Sequence, residues 1–253
     1  MPDLPRLLLN RRIAVLGSGH GLGRAVAKAA QAAGAEVLGI DSDARFDHID
    51  ALYRTDLSDP AAMDAVAQTL PKGLDGLALF PAIPDADPAT QLAQALAAPK
   101  RLAEALAPTL APGASLLTRA APRHADWPRA LDLIRAAAAL RPGEADDFAS
   151  RWALQAEAID TPRLIGWAML AWTLTHCHSW PGLRVNALTP ASPDGHLPPA
   201  ISVASGLDAA QGPALAAQAA VFLLSGLSAG LTGATIAADA GFSAQIQTRL
   251  EGL

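Results

Sequence analysis

The residues with the clearest chemical capacity lie in "IAVLGSGHGLGRAVAKAAQAAG", positions 13 to 34. Gly17, Gly21 and Gly23 are spaced G-x-x-x-G-x-G, and Gly19 adds freedom between them. Glycines at that spacing permit a tight turn and bring backbone N–H groups close to a phosphate, while a helix starting there adds the positive end of its dipole. An apolar run precedes the glycines and an Ala-rich run follows, which is the context of strand, turn and helix. A merely tight strand-to-helix turn is the plainer alternative. Gly17, Ser18, Gly19, His20, Gly21, Leu22 and Gly23 are therefore expected to cradle a dinucleotide pyrophosphate.

Asp41 closes the next apolar run, "EVLGID", about 20 residues past the loop. A carboxylate there accepts hydrogen bonds from an adenosine ribose and repels a 2′-phosphate, which points to NAD rather than NADP. An ordinary strand-end cap is the alternative, and Arg45 nearby leaves NADP open. In "RTDLSDPAAM", Asp56 with Leu57 is placed to meet the adenine, or Asp56 simply caps the turn before the following helix.

Other titratable residues suggest less. His176, Cys177 and His178 cluster, but zinc wants three or four ligands, and i, i+2 spacing on a helix turns the histidines to different sides, so no metal is expected. His20 and His124 fall on loops near the expected cleft. Trp127, Trp152, Trp167 and Trp172 are expected in the core or a pocket wall.

The elements that must position these residues alternate. Apolar runs at 12–17, 36–40, 51–55, 75–80, 114–118, 183–188 and 234–238 have the character of strands, and 22–33, 60–70, 89–108, 160–178 and 213–225 have helical spacing. That rhythm predicts an α/β doubly wound parallel sheet of about seven strands, with residues 1–253 as a single domain. Residues 121–158 break the rhythm, with two helical pieces around "RPGE" and no strand, and form a helical insertion. Proline-rich 189–199 is expected as a loop covering a ligand site.

Composition limits the partners. A net charge of −5 without a run of Lys or Arg argues against a nucleic-acid or anionic-membrane surface and for a small-molecule ligand or other subunits. The longest apolar run, "LIGWAMLAWTL", falls well short of the ~20 residues that span a bilayer, so no membrane is expected. One cysteine excludes an intramolecular disulfide, and "MPDLPRLLLNRR" lacks the features of a secretory signal, so a cytoplasmic location is expected.

The order of G-x-x-x-G-x-G, Asp41 and "TDLSD", followed near the C-terminus by "RVNALTPAS" and "AAVFLLSGLSAGLTGATIAADAGF", resembles the short-chain dehydrogenase/reductase family over nearly the whole chain. "ADWPRALDL" and the helical insertion are similar to the bacterial 3α-hydroxysteroid and coniferyl-alcohol dehydrogenase group. The resemblance implies a Rossmann-type fold, bound NAD and oxidoreductase activity on a hydroxyl or ketone. It also implies a homo- or hetero-oligomer through helices 89–108 and 160–178, which are apolar and Ala-rich here.

That family uses a Tyr as general acid/base, a Lys four residues later that lowers its pKa and holds the ribose, and a Ser that orients the substrate oxygen. Counting back from "RVN", the Tyr and Lys would fall within 160–166, which reads "DTPRLIG". The chain's one tyrosine, Tyr53, precedes "TD" on the adenosine side. "TRAA" stands where the Ser is expected, "LFPA" replaces the usual "NNAG", the Asn expected near 95 meets "QALAAPK", and Pro190-Ala191 stands for "PG". A general acid must titrate near the working pH, and arginine is always charged. Thr118, Asp160 and Arg163 are the remaining catalytic candidates. Two readings follow: an oxidoreductase whose proton donor lies elsewhere, or a catalytically silent relative serving as a structural subunit or a nucleotide-dependent binding protein.

Overall fold

A computed structural model describes residues 6–42, 47–154 and 160–253. Seven strands form one parallel sheet in the order β3-β2-β1-β4-β5-β6-β7. They are β1 Arg12–Leu16, β2 Glu36–Asp41, β3 Ala51–Arg54, β4 Gly76–Leu79, β5 Ser115–Arg119, β6 Arg184–Pro190 and β7 Thr235–Ala238. The crossover helices are α1 Gly21–Ala32, α2 Pro60–Thr69, α3 Pro88–Leu92, α4 Ala98–Leu106, α5 Leu131–Ala138, α6 Ala145–Arg151, α7 Thr161–His176, α8 Pro199–Ser205, α9 Gly212–Leu224 and α10 Phe242–Glu251. The doubly wound α/β sheet expected from the sequence is the observed one. Arg45 lies outside the described residues, as does the 155–159 end of the insertion.

Central strands β4, β5 and β6 are buried at every position, as a parallel sheet covered on both faces requires. One core packs Ile13, Val15 and Leu117 against Val26 of α1 and Val221 of α9. The other packs Leu16, Leu77 and Leu116 against Met63 of α2, Leu102 of α4 and Trp167 of α7. Helix starts are written locally. Asp59, Asp87 and Asp160 each cap a helix, accepting from the backbone N–H of Ala61, Thr90 and Arg163, with a proline in the first turn.

One expectation needs correcting. The 89–108 segment is not one helix: a wide π turn over Ala93–Ala97 separates α3 from α4. Pro99 has no N–H to give Ala95, and the wide turn re-spaces the ladder around it. The helices at 89–108 and 160–178, for which a subunit contact is implied, also pack within the chain. The insertion lies on those helices, with α5 against α7 and α6 against α3. Lys100 of α4 donates to Ala138 O and Leu140 O, 2.6 Å each, at the C-terminal end of α5. Leu164 to Leu170 of α7 are all buried, and α4 keeps only Glu104 and Ala105 fully exposed. Much of the apolar surface of these helices therefore packs within the chain, while Glu104, Ala105, Leu174 and Thr175 remain exposed.

The loop after β6 is shorter than expected, because β6 runs to Pro190 and α8 starts at Pro199. Helices α8 and α10 carry too little apolar periodicity to be read beforehand. Among the described residues, no single helix is long and apolar enough to cross a membrane.

Candidate functional site

The glycine turn leaves β1 where Gly17 N–H donates to Ile40 O, 2.9 Å. Gly17 has φ +84, and a Cβ there would overlap the Phe80 carbonyl. A Cβ on Gly23 would overlap Gly17 O, so this glycine seats α1 directly on the turn. Gly21 differs: its φ is +49, and a Cβ would meet only Asp194, 3.9 Å away. Two glycines thus close the turn onto backbone, and the third keeps space open above it.

Asp41, 7% exposed, accepts from Gly19 N–H at 2.8 Å and so holds the turn as well as ending β2. Ser18 Oγ in the turn and Thr55 Oγ1 just beyond β3 are buried without a hydrogen-bond partner. His20 stands at the N-cap of α1, and Leu22 is buried in the α1 core. Asp56 accepts from Ser58 N and Ser58 Oγ, 2.8 and 2.7 Å, and the Ser58 hydroxyl holds its carboxyl below the ordinary value. These are the contacts of a turn cap. Leu57 is half-buried against the core.

The residues present fit a dinucleotide by two observations: the open face over Gly21 and the unpartnered hydroxyls of Ser18 and Thr55 beside the strand ends. A cavity of about 430 Å³ lies between His20–Leu22 and the Phe80–Asp85 segment, reaching Pro162 and Pro193. A second, of about 250 Å³, adjoins it at the same two prolines and is bordered by Arg119, His124, Asp160, Arg163 and Phe242. The loop after β6 lies over both.

Thr118 does not reach this second cavity, which corrects its place among the catalytic candidates. It is fully buried, and its Oγ1 sits 2.7 Å from Thr173 Oγ1 of α7. Side chains alternate along a strand, so the neighbour Arg119 takes the cavity side at the end of β5. Arg119 is 7% exposed and donates to Pro193 O at 2.8 Å. Burial pushes it down to about 10, against the opposing influence of Asp194. Its place at a strand end, one residue from a buried position, is the signal that could have singled it out.

Asp160 and Arg163 do border the cavity, and their first partners are each other. Asp160 caps α7 through Arg163 N–H, 2.8 Å, and pairs with the Arg163 guanidinium at 3.0 Å. Arg163 also stands over the Trp167 ring, 6.0 Å from its centroid, and 4.0 Å from Asp126. His124 is half-buried between Trp167 and Phe242, with ring centroids at 6.3 and 6.4 Å. Burial first, then the Arg163 charge, lower its pKa against Asp160 and Asp126. Burial and that charge both favour the neutral imidazole.

The opening turn of α7 has no room for a lysine partner four residues after a tyrosine. Leu164 and Ile165 are 0% and 1% exposed, and a Cβ on Gly166 would overlap that of Ala121. Tyr53, on edge strand β3, pairs with Ile40 of β2, and three strands separate β3 from β5. Elsewhere, Trp167 and Trp172 are fully buried, and Trp127 and Trp152 pack beside them. His176 stacks on Trp172 at 4.6 Å. Among the described residues, no three His, Cys, Asp or Glu gather closely enough to hold a metal.

No family model matches the chain. A curated coniferyl-alcohol dehydrogenase from a Pseudomonas species is 32% identical over 127 residues, half of this chain and half of that protein. The 3-alpha-hydroxysteroid dehydrogenase of Pseudomonas sp. B-0831, solved in complex with NADH, aligns with a TM-score of 0.73 at 23% identity, covering 94% of this chain and 99% of that one. A short-chain dehydrogenase/reductase from Brucella melitensis aligns at 0.66 and 19% identity, covering 93% and 98%. The structural likenesses show the fold. Together with the sequence match over half the chain, they support the resemblance to the short-chain dehydrogenase/reductase family.

Proposed function

We propose that residues 1–253 act as one NAD-binding domain that has given up the family's Tyr–Lys proton transfer and works as a nucleotide-dependent binding protein. The observation that carries this reading is the start of α7, where 164 to 166 are closed by core packing and the sequence offers neither Tyr nor Lys. The nucleotide phosphates sit over Gly21 at the start of α1, with Ser18, Gly19, His20, Leu22, Asp41 and the Asp56–Leu57 turn around the adenosine half. NAD is favoured over NADP because Asp41 puts a carboxylate at the end of β2.

A second reading, an oxidoreductase on a hydroxyl or ketone, is favoured by His124. It presents a neutral imidazole to the cavity beside the nucleotide seat, as a proton acceptor must. Bound NAD would supply the hydride acceptor. One titration separates the readings. NADH and NAD are titrated into the protein by calorimetry, and the complex is assayed for hydride transfer with alcohols and hydroxysteroids. Binding without turnover is expected. Turnover that survives purification and vanishes in His124→Ala would establish the second reading, and no binding at millimolar nucleotide would remove both.

A further inference from the structure

Buried charge in the second cavity is unbalanced. Arg163 is met by Asp160 and Asp126, and the neutral imidazole is favoured at His124, so Arg119 is the cation left to the cavity. Among the described residues, no carboxylate lies within ion-pairing distance of it. The carboxylate that influences it, Asp194, is already spent: one oxygen accepts from Ser192 Oγ at 2.6 Å, and the other faces His196 Nδ1 at 2.8 Å. One guanidinium nitrogen serves Pro193 O, and the others are neither sealed by protein nor bonded to it. A buried cation without a direct ion pair is costly, and a guanidinium fork matches a carboxylate through two parallel hydrogen bonds.

Apart from those groups and Ser192, the lining is apolar. Ala121, Pro122, Gly166, Pro190 and the Phe242 ring surround a space of about 250 Å³. Asp160 and Arg163 pair with each other at its border, which leaves Arg119 to orient a ligand in this cavity. We infer that it takes a compact apolar monocarboxylate, aromatic or short aliphatic, with its carboxylate on Arg119 and its body against Phe242 and the prolines. This goes beyond the nucleotide reading and does not depend on it, because the cavity and its cation belong to the chain itself.

The test uses the full chain and benzoate as probe, with benzyl alcohol as its uncharged counterpart, by calorimetry. Benzoate is expected to saturate, and benzyl alcohol to bind at least about 10-fold more weakly. Arg119→Met should weaken benzoate about 10- to 100-fold and abolish the preference, and Arg119→Lys should restore part of it. Circular dichroism checks the fold of each variant. If Arg119→Met fails to fold, Arg119→Lys and the charged-against-neutral pair on the unmodified chain decide. Equal binding of benzoate and benzyl alcohol, no saturation by benzoate, or an Arg119→Met that melts earlier yet keeps the preference would overturn the inference. ADP-ribose titrated into the same proteins separates the sources of the anion. If Arg119→Met weakens ADP-ribose and benzoate does not bind, the partner is a nucleotide phosphate and the inference fails. Benzoate binding without ADP-ribose binding would sink the nucleotide reading alone.

Discussion

At the end of β1 the site is made of backbone, whereas at the end of β5 and the start of α7 it is made of side chains. The glycine turn is shaped by what is missing: Gly17 and Gly23 have no Cβ because Phe80 O and Gly17 O occupy that space. Across the cleft, Arg119, His124, Asp160 and Arg163 define a cavity whose character would change with any one of them. A site of backbone survives drift in sequence as long as the glycines stay, because every residue carries the same N–H. A site of side chains does not, and there 160–166 holds neither Tyr nor Lys.

The comparison is broken most sharply by crowding the turn. Gly17→Ala combines φ +84 with a backbone overlap and is expected to destabilise by about 3 kcal/mol or more in denaturant unfolding. Gly21→Ala, in open space, should cost only about 1 kcal/mol while weakening NADH measured by calorimetry. Equal costs would mean that Gly21 serves the fold and not the nucleotide. On the other side, Asp160→Tyr with Leu164→Lys rebuilds the family's pair in name. Because Leu164 is 0% exposed, the double variant should lose about 3 kcal/mol and gain no dehydrogenase activity.

A smaller effect tests the insertion that shields the side-chain half. Burial pushes Lys100 down to about 8 from 10.5, against the attraction of Glu104 and Glu144. Between those pH values the unfolded chain keeps a proton that the folded chain has released, so stability from this group rises with pH from about 8 to about 10.5. The rise should be on the order of 1–2 kcal/mol by thermal melting and absent from Lys100→Met. The smallest change belongs to Asp160. Asp160→Ala should cost about 1 kcal/mol through loss of the α7 cap, and Asp160→Asn almost nothing, since asparagine caps as well. A loss of ligand binding in Asp160→Asn without loss of stability would give this residue a role beyond the cap.

Much of the architecture could be read in advance because its signals are local. Apolar runs of strand length, Asp-Pro helix starts and the glycine spacing each act within a few residues, and they foretold seven strands, α1, α2, α7 and α9, and the paired helices around "RPGE". The short helices α8 and α10 escaped because they bury almost nothing, Ile201 in α8 and no residue in α10, and so carry no apolar stripe to read. At the site, the turn residues were legible for the same local reason. Asp41's bond to Gly19 N–H was not, since it joins residues 22 apart across two strands.

The sequence by itself determined the strand–glycine turn–helix at the end of β1 and the absence of Tyr and Lys from 160–166, because both are matters of residue type and spacing. Tertiary structure alone decided that Thr118 turns into the core and Arg119 into the cavity. It also decided that the insertion covers α4 and α7, and that the opening turn of α7 has no space for a lysine. Those outcomes depend on which surfaces meet across β5, α7 and the insertion. Such contacts are set by packing between segments far apart in the chain, where residue type fixes what a side chain can do but not what it will face.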